Sequence, residues 1–487
     1  MKKGSLIWLR RLLAAVVFGA FFLAFAFNIM PLPQLAHYQI GPALLAGGLA
    51  FLGAAAIITL CLGRVYCAAF CPLGIGQDLL GRIFRKNRHK PLPQYVWLRI
   101  TILAVFVAAL LCGFLFIYAL LDPYSSFGRI VGAIFAPLAQ FINNLLALGA
   151  EALGSSAFIR HEVRFAGWPA FLAGLATLIA LVFLIWKLGR VWCNYCPVGT
   201  ILGFLGRKSL CRIQLNQEKC VGCHRCEKVC KTGCIDIKNG AVDGSRCVVC
   251  QNCTQVCPAE AITYGYTPMK ENSENQQRRA FIGAMVPWVA FLAMQPDKAQ
   301  AATGQEINRP DVTPQRRQAT MRSTPLTPPG SGGADHFTAH CIGCQLCVAA
   351  CPNNVLRTSG HGPGILQPGL AYEFGYCRPN CVKCGEVCPA GAIAPLNPAQ
   401  KATIRFGQAS VDFQRCIVNT DQVACTACQR ICPSDAISLV AVDASGALKR
   451  PVVDSAKCTG CGACEYICAA RPLAAITVNG LKEHISN

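Results

Sequence analysis

The sequence predicts an α-helical membrane domain of four spans, a further apolar helix, and two small cysteine-rich α+β domains. Three observations predict it. The chain of 487 residues is 53% apolar and only 14% charged, and it carries 32 cysteines. Apolar stretches concentrate before about residue 205, whereas most cysteines follow it. Those cysteines fall in tight repeating runs, a spacing that disulfide scaffolds do not need and metal clusters do. At about 100–200 residues per domain the length suggests roughly three units.

Residues 1–212 form the membrane domain. Four segments approach the ~20 apolar residues a bilayer requires: about Leu12–Ile29, Ala43–Leu62, Ile100–Leu121 and Pro169–Leu188. Basic residues set their orientation. Lys2, Lys3, Arg10 and Arg11 precede the first span, Arg64, Arg82, Arg85, Lys86, Arg88 and Lys90 follow the second, and Lys187, Arg190, Arg207, Lys208 and Arg212 follow the fourth. The first loop has no Lys or Arg, and the loop 122–167 has only Arg129, Arg160 and Arg164. Both ends of the four-span unit are expected to face the cytoplasm.

Residues 213–268 read as a compact cytoplasmic domain. Residues 278–302 begin with Arg278-Arg279-Ala280-Phe281 and continue apolar to Met294 before Ala299-Gln300-Ala301-Ala302. That pattern matches a Tat-like export signal with a cleavage site near Ala301, and it also reads as a fifth anchor helix. Either carries the remainder across the membrane. Residues 303–335, rich in Thr, Pro, Gly and Ser, read as a flexible linker. Residues 336–487 form the second soluble domain.

The cytoplasmic domain holds Cys220, Cys223, Cys226, Cys230 and then Cys247, Cys250, Cys253, Cys257-Pro258. Both runs are C-x2-C-x2-C-x3-C, the two-cluster ferredoxin pattern, in which the fourth cysteine of each run crosses to the other 4Fe-4S cluster. Cys220, Cys223, Cys226 and Cys257 are therefore expected on one cluster, and Cys247, Cys250, Cys253 and Cys230 on the other. Cys220-Val221-Gly222-Cys223-His224 also matches a c-type haem motif. Its thiols are already used by the run, which excludes haem.

The distal domain has four runs: Cys341, Cys344, Cys347, Cys351; Cys377, Cys381, Cys384, Cys388; Cys416, Cys425, Cys428, Cys432; and Cys458, Cys461, Cys464, Cys468. Cys257, Cys388 and Cys432 each continue as Cys-Pro-x-x-Ala-Ile, which marks one repeated module of ferredoxin-like type. Six clusters are expected, two cytoplasmic and four periplasmic. Each adds about −2 relative to free thiols, bringing the formal +21 to about +9 and removing most of the case for nucleic-acid binding.

Gly63-Arg64-Val65-Tyr66-Cys67 leads to Cys71-Pro72-Leu73-Gly74, and Gly189-Arg190-Val191-Trp192-Cys193 leads to Cys196-Pro197-Val198-Gly199. This is one motif twice, an internal duplication. If the duplicated spans pack together, Cys67, Cys71, Cys193 and Cys196 converge on an extra metal centre. A structural turn or a redox thiol pair are the other readings. Cys61 and Cys112 read as small apolar side chains, and Cys211 and Cys234 carry no assigned role.

The paired motifs, four spans and two-cluster domain over residues 1–266 resemble the NapH (MauN-like) membrane ferredoxins of periplasmic nitrate reductase systems. The second motif has two residues between its cysteines where the first has three. The twin arginine and distal runs resemble the NapG (MauM-like) exported ferredoxins, so the chain looks like a fusion of the two. The resemblance implies a quinol dehydrogenase component in the bacterial inner membrane, passing electrons from menaquinol or ubiquinol to a periplasmic reductase or multihaem cytochrome. Its membrane partners would be lipid and the quinone pool. It also suggests first-with-fourth and second-with-third pairing of the distal runs: Cys341, Cys344 and Cys347 with Cys468; Cys458, Cys461 and Cys464 with Cys351; Cys377, Cys381 and Cys384 with Cys432; Cys416, Cys425 and Cys428 with Cys388. Adjacent pairing stays open. Asp122, His161 and Glu162 on one side, and Asp78 and His89 on the other, are candidate quinone-site residues. The competing readings are a maturation factor for a partner metalloenzyme and an acceptor for a periplasmic dehydrogenase of methylamine type. No Rossmann or nucleophile motif points to other chemistry.

Overall fold

The computed structural model describes residues 5–29, 31–83, 95–152, 160, 163, 165–266, 320, 322–358, 364–442 and 446–486. His89, His161, Glu162 and the whole 278–302 segment lie outside them, as does most of the linker.

The first apolar stretch makes one helix, α1 (Ser5–Phe27). The second does not. α2 (Ile40–Leu45) and α3 (Leu49–Leu62) are split at Gly47, whose φ of 71° glycine adopts without steric cost. The Tyr66 hydroxyl donates to Gln39 Oε1 at 2.8 Å, so α2 doubles back along α3. After α4 (Val65–Ala69) and α5 (Pro72–Ile83), α6 (Val96–Leu111) and α7 (Leu115–Leu121) are split in the same way at Gly113, φ 74°. Phe106 and Tyr118 stack across that turn with centroids 4.5 Å apart. The expected continuous spans Ala43–Leu62 and Ile100–Leu121 are therefore each a bent pair of shorter helices.

The expected loop 122–167 contains instead α8 (Pro123–Ile130), a π-helical turn (Val131–Phe135) and α9 (Ala136–Ala152). Asp122 caps it: Oδ2 accepts from Ser125 N at 2.8 Å and Ser125 Oγ at 2.9 Å, and Pro123 occupies the first helical position. Arg129, fully buried, donates to Ala119 O at 2.7 Å. With α10 (Trp168–Leu188), α11 (Trp192–Tyr195) and α12 (Pro197–Gly206) the helical unit is complete. Among the described residues three helices are long and apolar enough to cross a membrane: Ile7–Phe27, Pro123–Ala152 and Trp168–Leu188.

The first cysteine-rich unit pairs β1 (Cys211–Leu215) antiparallel with β4 (Ile262–Tyr266), and β2 (Ile235–Asp236) with β3 (Ala241–Val242). Two one-turn helices, α13 (Arg225–Val229) and α14 (Asn252–Val256), carry the third cysteine of each run. This unit docks on the helical unit through Arg64 Nη1, which donates to Ser245 O at 2.8 Å, and Asn194 Nδ2, which donates to Thr232 O at 3.1 Å.

The distal unit has three antiparallel pairs: β5 (Leu356–Arg357) with β6 (Gly369–Leu370), β7 (Ile404–Val411) with β10 (Ile476–Ser486), and β8 (Ile437–Ala441) with β9 (Lys449–Val453). It docks on the opposite end of α1. Thr358 Oγ1 donates to Ala166 O at 2.8 Å, and a Cβ added at Gly128 would lie 2.3 Å from Cys344 O. Phe25 and Phe127 pack edge to face at that level, 6.0 Å apart. At the other end Arg10 Nη1 reaches Ala68 O at 3.4 Å.

Candidate iron–sulfur sites

In the first unit, Cys220, Cys223, Cys226 and Cys257 line one pocket, and Cys230, Cys247, Cys250 and Cys253 line the other. The loops can turn this tightly because Gly222, His224, Val249 and Gln251 all take φ between 51° and 66°. Cys234 shares the second pocket, with its Sγ 3.5 Å from Cys230 Sγ. It stands where three other runs have Ala in Cys-Pro-x-x-Ala. Its amide donates to Cys230 Sγ at 3.4 Å, as Ala436 N does to Cys432 Sγ at 3.3 Å. That alignment was the available signal for its placement.

The duplicated motifs meet within the helical unit. Cys67, Cys71, Cys193 and Cys196 line a single pocket with Gln77, Pro123 and Trp192, and all four are buried. The unequal spacing does not separate them, because the extra residue of the first motif, Phe70, sits just past the end of α4, whereas Cys196 follows α11 directly. The arginines cross over: Arg64 Nη2 donates to Cys193 O at 2.9 Å, and Arg190 Nη2 donates to Cys67 O. Arg190 Nε also donates to Cys193 Sγ at 3.1 Å. These roles were not legible in the motif alone. Asp78 pairs with Arg190 at 2.9 Å and Lys231 at 2.8 Å, so it ties the site to the first cysteine-rich unit. Asp122 serves as a helix cap below Gly41, where an added Cβ would meet Asp122 Oδ1 at 2.0 Å.

The distal runs pair with their neighbours in sequence, not first with fourth. Cys347 feels Cys341, Cys344 and Cys388; Cys384 feels Cys377, Cys381 and Cys351. Cys458, Cys461 and Cys464 line a pocket with Cys432, and Cys428 feels Cys425 and Cys468, as Cys416 does. The reason is local packing: the helices Leu346–Ala350 and Lys383–Glu386 touch, as do Ala427–Ile431 and Ala463–Ile467. The two modules meet where Cys377 N donates to Cys461 O at 2.9 Å. Lys401, 3% exposed, donates from Nζ to Cys377 Sγ at 3.2 Å and to the carbonyls of Arg378 and Cys381 at 2.6 Å. Cys341, Cys344 and Cys347 are buried, whereas Cys416, Cys425, Cys428 and Cys468 are all partly exposed.

These sets fit 4Fe-4S clusters. Burial pushes the Cys226, Cys428 and Cys461 thiols up to about 11 and Cys344 up to about 12. A bare thiolate is costly there, and iron offsets that cost while backbone amides aimed at sulfur steady the charge.

Comparison with known proteins agrees. A 4Fe-4S binding domain profile matches residues 44–91 and 170–215, the segments with the duplicated motifs, and another matches 213–236. 4Fe-4S dicluster domain profiles match 246–356, and 340–392 with 423–471. The chain is 36% identical over 165 residues to the methylamine utilization ferredoxin-type protein MauM of Methylophilus methylotrophus, covering 32% of this chain and 70% of that protein. It is 32% identical over 165 residues to the ferredoxin-type protein NapG of Escherichia coli K12, with 32% and 70% coverage. Against NapF of the same strain it is 29% identical over 163 residues, with 33% and 89% coverage. The matched region lies in the middle and C-terminal part. By this shared sequence and these cysteine pockets, the chain belongs to the MauM family of ferredoxin-type iron–sulfur electron-transfer proteins.

Proposed function

We propose that this chain conducts electrons through the bacterial inner membrane, from quinol to a periplasmic reductase, with a NapH-like unit and a NapG-like unit in one polypeptide. One observation carries the reading: three thiol sets stand in line along α1. Arg10 lines the same cavity as Cys230 of the Cys230, Cys247, Cys250, Cys253 set. Phe18 lies against Gly76, next to Gln77 of the central set. Phe25 and Cys344 both close on Gly128 at the distal unit. Arg10 to Phe25 spans about 22 Å at 1.5 Å per residue. Pro123 lines the central pocket, and the next residue, Tyr124, packs on Phe25 with ring centroids 6.1 Å apart.

A 4Fe-4S cluster, when bound, takes up and gives back single electrons. The chain's residues set spacing, burial and local charge. In this reading there are six ferredoxin-type clusters, a seventh centre on Cys67, Cys71, Cys193 and Cys196, and an outermost set on Cys416, Cys425, Cys428 and Cys468 that faces the partner. The 278–302 segment carries the distal unit to the periplasmic side.

The test is anaerobic mixing of the cluster-loaded chain with a menaquinol analogue, followed by absorbance and EPR. Reduction without any partner supports the reading. Clusters that dithionite reduces and quinol does not would sink it. The names of the MauM relatives favour a second reading, in which electrons enter from a periplasmic methylamine-type dehydrogenase and run inward; reduction of the distal set before the others by such a donor would identify it.

A further inference from the structure

Between α1, α5, α10 and the first cysteine-rich unit lies a cavity of about 990 Å³. Phe18 and Ile185, from two helices long enough to cross a membrane, give it an apolar flank. Gln77 lines both this cavity and the central thiol pocket, and Cys230 of the neighbouring set lines its other wall. Four polar atoms of wall residues are buried without a partner: the donors Arg10 Nε, Arg11 Nε and Gln77 Nε2, and one acceptor, Asn252 Oδ1. Gln77 is 3% exposed, and Cys193 Sγ stands 3.7 Å from its Oε1.

A buried donor and a buried acceptor left unpaired cost free energy that a bound molecule would recover. The occupant must therefore both accept and donate hydrogen bonds, enter from a bilayer, and sit between two redox sites. A hydroquinone headgroup meets all three conditions. A phospholipid phosphate or an oxidised quinone offers acceptors only and leaves Asn252 unpaired.

We propose that this cavity binds the quinol headgroup, with Gln77 Nε2 donating to one quinol oxygen and Asn252 Oδ1 accepting from the opposite hydroxyl. The assignment rests on the quinol reading above. Oxidation breaks two O–H bonds and yields the quinone, two electrons and two protons. The electrons leave singly toward the centres held by the Cys193 and Cys230 sets. The protons pass to water at the mouth, where Lys228 and Gln255 are exposed. The quinone product can no longer donate to Asn252, which favours its release.

The experiment uses the full cluster-loaded chain in lipid nanodiscs, kept anaerobic, with decylubiquinol as the probe. Gln77→Met and Asn252→Leu should each raise the apparent Kd at least about tenfold, with iron content and dithionite-reduced EPR unchanged. Asn252→Asp, which keeps the acceptor, should bind nearly as the parent does. A photoreactive quinone analogue should label α1 or α5 in the unmodified chain. A parent chain that neither decylubiquinol nor a menaquinol analogue can reduce overturns the quinol reading itself. A parent that is reduced, but labelled elsewhere or indifferent to both substitutions, overturns the site and leaves the function standing. A phospholipid retained in the parent and lost with Gln77→Met overturns it in favour of a lipid site.

Discussion

Arg64 from the first duplicated motif holds the carbonyl of Cys193 in the second, at 2.9 Å, and Arg190 returns the contact to the carbonyl of Cys67. Each guanidinium also covers a glycine of the other motif. An added Cβ at Gly74 would lie 2.6 Å from Arg190 Nη2, and one at Gly199 would lie 2.6 Å from Arg64 Nη2. The motif Gly-Arg-Val-x-Cys…Cys-Pro-x-Gly is thus a reciprocal clamp, with the arginine of one copy needing the glycine of the other.

Gly74→Ala and Gly199→Ala should each disturb this clamp. Overpacking of this kind costs about 1–3 kcal/mol. The expected result is loss of iron equivalent to the central centre, with the two-cluster EPR signals of the neighbouring unit intact. Iron analysis per chain alongside EPR checks it; unchanged iron in both variants would refute a clamp around a metal centre.

Cys234 shares a pocket with Cys230, yet only Cys230 belongs to a run. Cys230→Ala should abolish the centre of Cys247, Cys250 and Cys253. Cys234→Ala restores the alanine found at the same place after Cys257, Cys388 and Cys432, and should leave that centre intact. Mössbauer quantification separates these results, and equal loss in both variants would make Cys234 the ligand.

Neighbour pairing of the distal runs predicts that Cys432→Ala perturbs the centre of Cys458, Cys461 and Cys464, while Cys388→Ala perturbs that of Cys341, Cys344 and Cys347. First-with-fourth pairing predicts the Cys377 and Cys416 sets instead. Pulsed EPR distances to a spin label on the distal surface distinguish the two patterns.

Lys401 places a buried ammonium 3.2 Å from Cys377 Sγ. A charge-assisted hydrogen bond is worth about 1.5–3 kcal/mol, and it favours the more negative, reduced state of the centre on Cys351, Cys377, Cys381 and Cys384. Lys401→Met should therefore lower that centre's potential by on the order of 100 mV. A redox titration monitored by EPR reads the shift; an unchanged potential would confine Lys401 to backbone support.

His484 in β10 is pushed by burial from its ordinary 6.5 down to about 4, and its Nε2 lies 3.0 Å from Thr327 Oγ1. Its folded value lies below its unfolded one, so its contribution to stability is complete above 6.5 and falls as pH drops toward 4. The loss is on the order of 2–3 kcal/mol. Thermal melts of the loaded chain from pH 7 to 4 should show it, and His484→Phe should flatten that limb.

Much of the cofactor chemistry was legible because ferredoxin ligands are local. Three thiols within seven residues, from Cys220 to Cys226, must face one site whatever surrounds them. Span counting was less secure. Hydropathy averages over a window, so it reads through Gly47 and Gly113, where the chain turns back, and it passes over Pro123–Ala152, whose apolar character is diluted by Arg129, Gln140, Asn143 and Asn144. Gln77 carried no signal at all, since a single amide in an apolar helix has no spacing to betray it.

The sequence by itself determined which cysteines form runs, that the membrane motif is duplicated, and that apolar and cysteine-rich parts are separate, because each follows from short-range spacing and composition. Only the tertiary structure decided that distal runs pair with neighbours, that four motif cysteines converge despite unequal spacing, and that three thiol sets line up along α1. Those are contacts between residues far apart in the chain, selected by how helices and loops pack, and no local pattern encodes them.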